Sequence, residues 1–414
     1  MLRAKHSTHT KLSRSSEKSF RMTSLPKAIG LSKIAFSIFL NSLPSKRSVK
    51  QGQPLKIAFL VPLYHTNMLA MIESLTSANH QVIVIVARKE NVENYRFLTP
   101  TTIKQIENDP DIINALPFKV PDLILVREYA PSMINIAEKL LGPETKIYNY
   151  NQKPLRRNKG LKFLIKDLKR LRTHQIKGIP LRGFSPVDHH HSIKSRWPKK
   201  LLTQDFNFPV FQYETTPVQT TRHQERIQIL MVGKLAQPRK RHFWLIDALK
   251  SSGVACDLHI CGSGLDMEFD DGTRDKDYYY ELKKCAEESA KSSNLVITLF
   301  EDVNFFELSE FYSKAEIFVL PSIQEEFGIS LLEAMTHSCA VIVSDEVGAA
   351  RHINHGVDGL VFPTHDFKAF EQNVHRLLKD QALQISLQTQ AKKTIDRNHN
   401  YSQFAEFIES LANE

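Results

Sequence analysis

Residues 227–250 read IQILMVGKLAQPRKRHFWLIDALK. IQILMV (227–232) has the pattern of a strand and HFWLIDALK (242–250) that of a helix. Between them the strand ends at Gly233, and Lys234, Arg239, Lys240 and Arg241 then lead into the helix start. Four cations there repel the positive end of the helix dipole. They are explained if an anion sits among them, because free N–H groups and ammonium groups can share one phosphate; otherwise the segment is an exposed basic loop. The stretch before it, YETTPVQTTRHQER (213–226), is poor in apolar residues and reads as a linker. Residue 227 therefore restarts an alternation of strands and helices.

That alternation has already run once. KIAFLV (56–61) is a continuous apolar run, as a strand buried on both faces requires. Met68, Met71, Ile72 and Leu75 follow at helical spacing, with Asn79 placed to stop the helix. QVIVIVA (81–87), DLILV (122–126) and KIYNY (146–150) are further strands, as are CDLHIC (256–261), LVITLF (295–300), EIFVL (316–320) and AVIVS (340–344) in the second half. The pattern predicts two doubly wound α/β parallel sheets in tandem, with a cleft between their strand C-termini. Tyr401, Phe404, Phe407, Ile408 and Leu411 are spaced as a terminal docking helix.

Of 55 Lys+Arg and 45 Asp+Glu, the first 50 residues hold 11 and 1, leaving 44 of each in 51–414. The net charge of +10 thus belongs to the N-terminal arm, and no nucleic-acid partner is expected. The arm reads as disordered or as an organelle transit peptide. Residues 156–200 are basic, and Leu161, Leu164, Ile165, Leu168 and Leu171 recur at helical spacing among lysines. Residues 156–172 are a candidate for an anionic membrane surface, or else a solvated face packed on the core. No apolar run is long enough to span a bilayer. Cys256, Cys261, Cys285 and Cys339 form no CxxC pattern and read as free thiols. Asp188 with His189, His190 and His191 reads as a loop cluster, DDGTRDKD (270–277) as a solvated turn, and no metal is expected.

Two more strand ends carry unusual residues. HICGSGLD (259–266) places Gly262 and Gly264 at a βα turn, but Met267 stands where a dinucleotide pattern needs glycine. PSIQEEFGISLLEAM (321–335) follows EIFVL and starts a helix near Ile329, with Gly328 at its N-terminus. Amides there can receive an anion. Glu325 and Glu333 cannot bind phosphate, but carboxylates grip hydroxyl pairs strongly. Cations, amides and carboxylates on three strand ends suit a nucleotide sugar.

GKL at 233–235, Lys240, GSG at 262–264, PSIQEEFGISLLEAM and SDEVGAARHINHGVDGLVF (344–362) together resemble the retaining, GT-B-fold glycosyltransferases of family 4. The likeness covers about 130 residues of the second half. It implies a GT-B architecture, two Rossmann-like domains facing a cleft. The expected layout is a basic arm at 1–52, an acceptor domain at 53–215, a donor domain at 216–395 and a docking helix at 396–414. It further implies that Lys234 and Lys240 hold the diphosphate, with Arg239 competing and Gly233, Gly262 and Gly264 lining the donor. Glu325 and the amides of Phe327, Gly328 and Ile329 would contact the donor sugar and phosphate, and Glu333 the ribose. Many relatives carry a glycine pair and a histidine in the first half; here VPLYHTNM (61–68) and NYNQKPL (149–155) stand there, leaving His65, Arg127 and Gln152 as candidates. The expected activity is metal-independent hexosyl transfer from a UDP- or GDP-sugar to a glycan or lipid-linked acceptor, as in cell-envelope polysaccharide synthesis. It is expected in the cytoplasm, at the inner face of a membrane, or after organelle import. An epimerase of the same architecture and a non-catalytic nucleotide-sugar binder are the alternatives.

Overall fold

The computed structural model describes residues 53–62, 64, 67–87, 102–105, 111–127, 131–150, 175–176, 179–180, 182–185, 204–205, 207–211, 226–265, 274–289, 291, 294–325 and 327–414. The N-terminal arm, His65, Gln152, the basic segment 156–172, the His189–His191 cluster and most of the linker lie outside them.

In the first half the chain runs β1 (Lys56–Val61), α1 (Asn67–Ser77), β2 (Gln81–Val86), β3 (Thr102–Gln105), β4 (Leu123–Arg127), α2 (Pro131–Leu140) and β5 (Lys146–Tyr150). A small antiparallel pair, β6 (Gln175–Ile176) with β7 (Ile179–Pro180), precedes β8 (Arg182–Ser185) and β9 (Gln204–Asp205). Seven strands form one sheet in the order β3-β2-β1-β4-β5-β8-β9, every pair parallel.

The second half runs β10 (Ile227–Val232), α3 (His242–Ser252), β11 (Cys256–Gly262), α4 (Lys276–Ser289), β12 (Leu295–Glu301), α5 (Phe305–Lys314), β13 (Ile317–Leu320), α6 (Ile329–Thr336), β14 (Ala340–Ser344) and β15 (Leu360–Phe362). Helices α7 (Phe367–Lys379), α8 (Gln381–Asn398) and α9 (Tyr401–Asn413) complete it. Its six parallel strands are ordered β12-β11-β10-β13-β14-β15. Counted within the half, that is the 3-2-1-4-5-6 order of a doubly wound dinucleotide-binding sheet.

Strand alternation explains why the central strands are apolar throughout. In β1, Ile57, Phe59 and Val61 enter one core cluster while Ala58 and Leu60 enter another. In β13, Phe318 and Leu320 point to the first of these, and Ile317 and Val319 to a third under α3 and α7. The first cluster draws on both sheets and includes Phe208, Phe404, Ile408 and Leu411. Helix α9 lies on α1: Ser74 Oγ donates to the Tyr401 carbonyl at 2.6 Å, and Tyr148 Oη to that of Leu411 at 3.1 Å. At the bend between α8 and α9, His399 Nδ1 is 2.7 Å from the Phe208 carbonyl, and its own carbonyl accepts from Val210 N. The terminal segment is thereby joined to both halves.

Candidate active site

Strands β10 and β13 are neighbours in the sheet, and they are its first and fourth strands. Crossovers leave such a pair toward opposite faces, so a crevice opens at their carboxyl ends. The loops that follow them, 233–241 and 321–328, carry most of the candidate residues.

The loop after β10 is fixed by backbone. Gly233 N donates to the Cys261 carbonyl at 2.9 Å and Leu235 N to that of Ser263 at 3.0 Å. This close approach explains Gly262, since a Cβ there would strike the Gly233 carbonyl; at Gly264 it would strike the Glu301 carboxylate. Both glycines therefore let protein pack on protein at this turn. Gly233 itself lies under the aliphatic chain of Lys240, 3.1 Å from Lys240 Cδ to an added Cβ.

A 3₁₀ turn, Pro238–Lys240, then aims two cations at one carboxylate. Lys240 Nζ is 2.5 Å and Arg239 NH1 2.9 Å from Glu325 Oε2. The loops are also joined by main chain, Ile323 N donating to the Arg239 carbonyl at 2.8 Å. Burial lowers the Lys240 pKa; Glu325 opposes that, while Arg239 and Lys234 add to it. Burial would raise the Glu325 carboxyl, but the charges and hydrogen bonds of Lys240 and Arg239 outweigh it and hold it below the usual carboxylate value. Arg241 leaves the group. Its left-handed backbone (φ 59°) directs the guanidinium to the Thr364 carbonyl and over the Trp244 ring, 3.9 Å from the centroid. His242, at the first turn of α3, is pushed down to about 3 by burial and by Lys240, so it adds no charge.

The second loop holds Glu325 in place. Its segment bridges Val347 in parallel, Gly348 N donates to the Glu325 carbonyl, and Ala349 N to that of Phe327 at 2.7 Å. Gly328 caps α6 with φ +79°, and a Cβ there would meet Val347 Cγ1 at 2.7 Å. A side chain is excluded on both counts.

The helix starts divide into two kinds. Helices α5, α7, α8 and α9 are capped by Asn304, Asp366, Asp380 and Asn400, and Asp275 accepts from Tyr278 N at the start of α4. At α3, which follows β10, a side chain of α4 takes the first amide, His242 N donating to Tyr278 Oη at 3.0 Å; α6, which follows β13, has no side-chain cap. The leading amides of α6 retain donor capacity where the dipole is positive, close to Glu325.

Glu333 lies one turn further along the same helix. It is buried in α6 and accepts from Tyr312 Oη of α5 at 2.9 Å. Complete burial pushes its carboxyl up to about 7 against that hydrogen bond. Among the described residues it makes no ion pair, and it is not joined to the Lys240–Glu325–Arg239 group. Tyr312 was not singled out in the sequence, although it lies on the apolar stripe of α5 with Phe305. Part of DDGTRDKD falls outside the described residues, and within the rest Asp275 serves as the α4 cap.

The two facing parallel sheets and the position of this site define a GT-B fold. Residues 212–394 match the family model described as glycosyl transferases group 1. The capsular polysaccharide biosynthesis glycosyltransferase CapM of Staphylococcus aureus is 24% identical over 212 residues, 50% of this chain and 52% of that protein. An N,N'-diacetylbacillosaminyl-diphospho-undecaprenol alpha-1,3-N-acetylgalactosaminyltransferase of Campylobacter jejuni is 36% identical over 81 residues, 20% of this chain and 22% of that protein. The chain thus spans about half the length of the first relative and about a fifth of the second. Among solved structures, Anabaena HepE in complex with UDP and glucose superposes with a TM-score of 0.64 at 14% identity, covering 87% of this chain and all of that one. Among the described residues no helix is long and apolar enough to cross a membrane.

Proposed function

We propose that the protein is a retaining hexosyltransferase that moves a sugar from a UDP- or GDP-hexose to a glycan or lipid-linked acceptor without a metal. The observation carrying this reading is the pairing of Lys240 and Arg239 with Glu325 beside the uncapped start of α6. The UDP complex of HepE and the polysaccharide and undecaprenol-linked relatives favour the donor and acceptor classes.

Without donor, Glu325 neutralises the two cations. A bound diphosphate takes over that role and frees the carboxylate to accept hydrogen bonds from the donor sugar's hydroxyls. When the sugar–phosphate C–O bond breaks, the diphosphate gains negative charge facing groups already oriented toward it, which lowers the barrier without reorganisation. The acceptor oxygen attacks from the leaving-group face, forms the new C–O bond, and passes its proton to the departing phosphate oxygen. Lys240, Arg239 and Lys234 thus act on the leaving group, and Glu325 orients the sugar. Glu333 takes the ribose hydroxyls, its carboxylate oriented by Tyr312 Oη. The basic segment 156–172 would hold the enzyme at the inner face of a membrane near a lipid-linked acceptor.

The test is product analysis. UDP- and GDP-hexoses are supplied with a panel of glycan and lipid-linked acceptors, and the new anomeric centre is read by NMR. An axial-to-axial outcome supports the proposal. An inverted anomer, or an epimerised free nucleotide sugar with no glycoside, overturns it.

A further inference from the structure

We propose that Arg127 forms a second anion site, on the first sheet's side of the cleft, that takes a phosphate group of the acceptor. The word acceptor rests on the transferase reading above; the site itself rests on the first sheet. Arg127 is the last residue of β4, and β4 adjoins β1 in the order β2-β1-β4-β5. That is this sheet's own switch point, where ligands of open parallel sheets bind beyond the carboxyl ends.

The residue is out of keeping with its surroundings. The four before it, LILV (123–126), are fully buried and apolar. Arg127 is only 5% exposed, and its NH1 is buried with no hydrogen-bond partner among the described residues. No carboxylate among them pairs with it either. Alternation sets Arg127 on the face of Leu123 and Leu125, opposite that of Ile124 and Val126. There its register partner on β5 is Tyr150, and Tyr64 lies three residues past the end of β1; both are buried phenols of the same cluster.

A buried cation without a counterion is destabilising, and an apolar side chain of similar size would suit the core better. Retaining arginine makes physical sense if an anion completes the site, and its planar fork matches phosphate oxygens. Two phosphates could be meant, the donor's or the acceptor's. The donor's has cations of its own on the β10 loop, so the geometry points to the acceptor's.

The test is calorimetric titration of inorganic pyrophosphate into protein saturated with UDP, for wild type, Arg127→Met and Arg127→Lys. Arg127→Gln replaces the Met variant if that fails to fold. The expected result is a second anion bound by wild type, weakened at least tenfold by Arg127→Met and partly restored by Arg127→Lys. UDP affinity should stay within twofold, and the Tm of Arg127→Met should equal or exceed that of wild type, which a purely structural arginine would not give. Equal pyrophosphate binding by wild type and Arg127→Met, or none by UDP-saturated wild type, overturns the proposal. Loss of UDP affinity in Arg127→Met assigns the site to the donor and also overturns it. If wild type binds no UDP, the transferase reading fails separately; pyrophosphate binding by Lys240→Met that is lost in Lys240→Met/Arg127→Met then upholds the site, and unchanged binding refutes it.

Discussion

Replacing Glu325 with glutamine keeps the shape of the site and removes the charge that Lys240 and Arg239 share. The Lys240 side chain is 8% exposed, that of Glu325 17% and that of Arg239 34%. Breaking a buried ion pair by removing one partner costs about 3–5 kcal/mol. Arg239 keeps much of its hydration, so the lower end applies, about 3 kcal/mol. For a domain of this size each kcal/mol moves the melting point by roughly 2–4 °C, giving a fall of roughly 6–12 °C. Ligand then separates this reading from simple damage. A diphosphate supplies the missing counter-charge and no longer displaces a carboxylate, so a saturating dose of UDP should raise the Tm of Glu325→Gln more than that of wild type. Turnover should fall all the same, because the glutamine holds the sugar's hydroxyls less strongly. Differential scanning calorimetry with and without UDP reads both effects. A variant as stable as wild type, or an equal UDP shift in the two proteins, would refute the idea that Glu325 stands in for the diphosphate.

Glu333 gives a pH signature. Its folded pKa, about 7, lies above the usual 4.5, so the folded state holds a proton that the unfolded state has released. Stability should therefore be full below pH 4.5, decline as pH rises to 7, and level off above it, by up to about 3 kcal/mol. Urea unfolding at pH 5 and pH 8 should show this difference in wild type and a smaller one in Glu333→Gln, which keeps an acceptor for Tyr312. Gly262→Ala should push β11 off the Gly233 carbonyl and cut turnover at least tenfold. Gly253→Ala, at φ +67° with open space around it, should cost about 1 kcal/mol with unchanged turnover, as steady-state kinetics and melting curves will show. Gly328→Ala combines strain and a clash, and should cost about 2–3 kcal/mol in thermal unfolding.

The long buried strands were legible because both faces of a parallel sheet demand apolar residues. KIAFLV, QVIVIV and AVIVS declare themselves for that reason. TIKQ at 102–105, RGFS at 182–185 and the two-residue strands 204–205 and 175–176 do not. They lie toward the two opposite edges of the first sheet or in the small hairpin, and are too short or too polar to show a period. In the site, the four cations before α3 could be read directly from the sequence. Their directions could not. Arg241 shares the sequence context of Lys240, yet a left-handed backbone turns it to Thr364. Likewise the eight-residue spacing from Glu325 to Glu333 says nothing of Tyr312, which comes from a different helix and takes the second carboxylate into the interior. Gly262 and Gly264 were visible as glycines, but only the fold shows that Gly233 and Glu301 occupy the space beside them.

The most direct measurement is isothermal titration of UDP-glucose and GDP-mannose into wild type and into the Arg239→Gln/Lys240→Met double variant. Micromolar binding of at least one nucleotide sugar by wild type, weakened a hundredfold or more in the double variant, is the predicted result. Equal affinity in both proteins, or no binding of either nucleotide sugar by wild type, would contradict the assignment of this crevice to a nucleotide diphosphate.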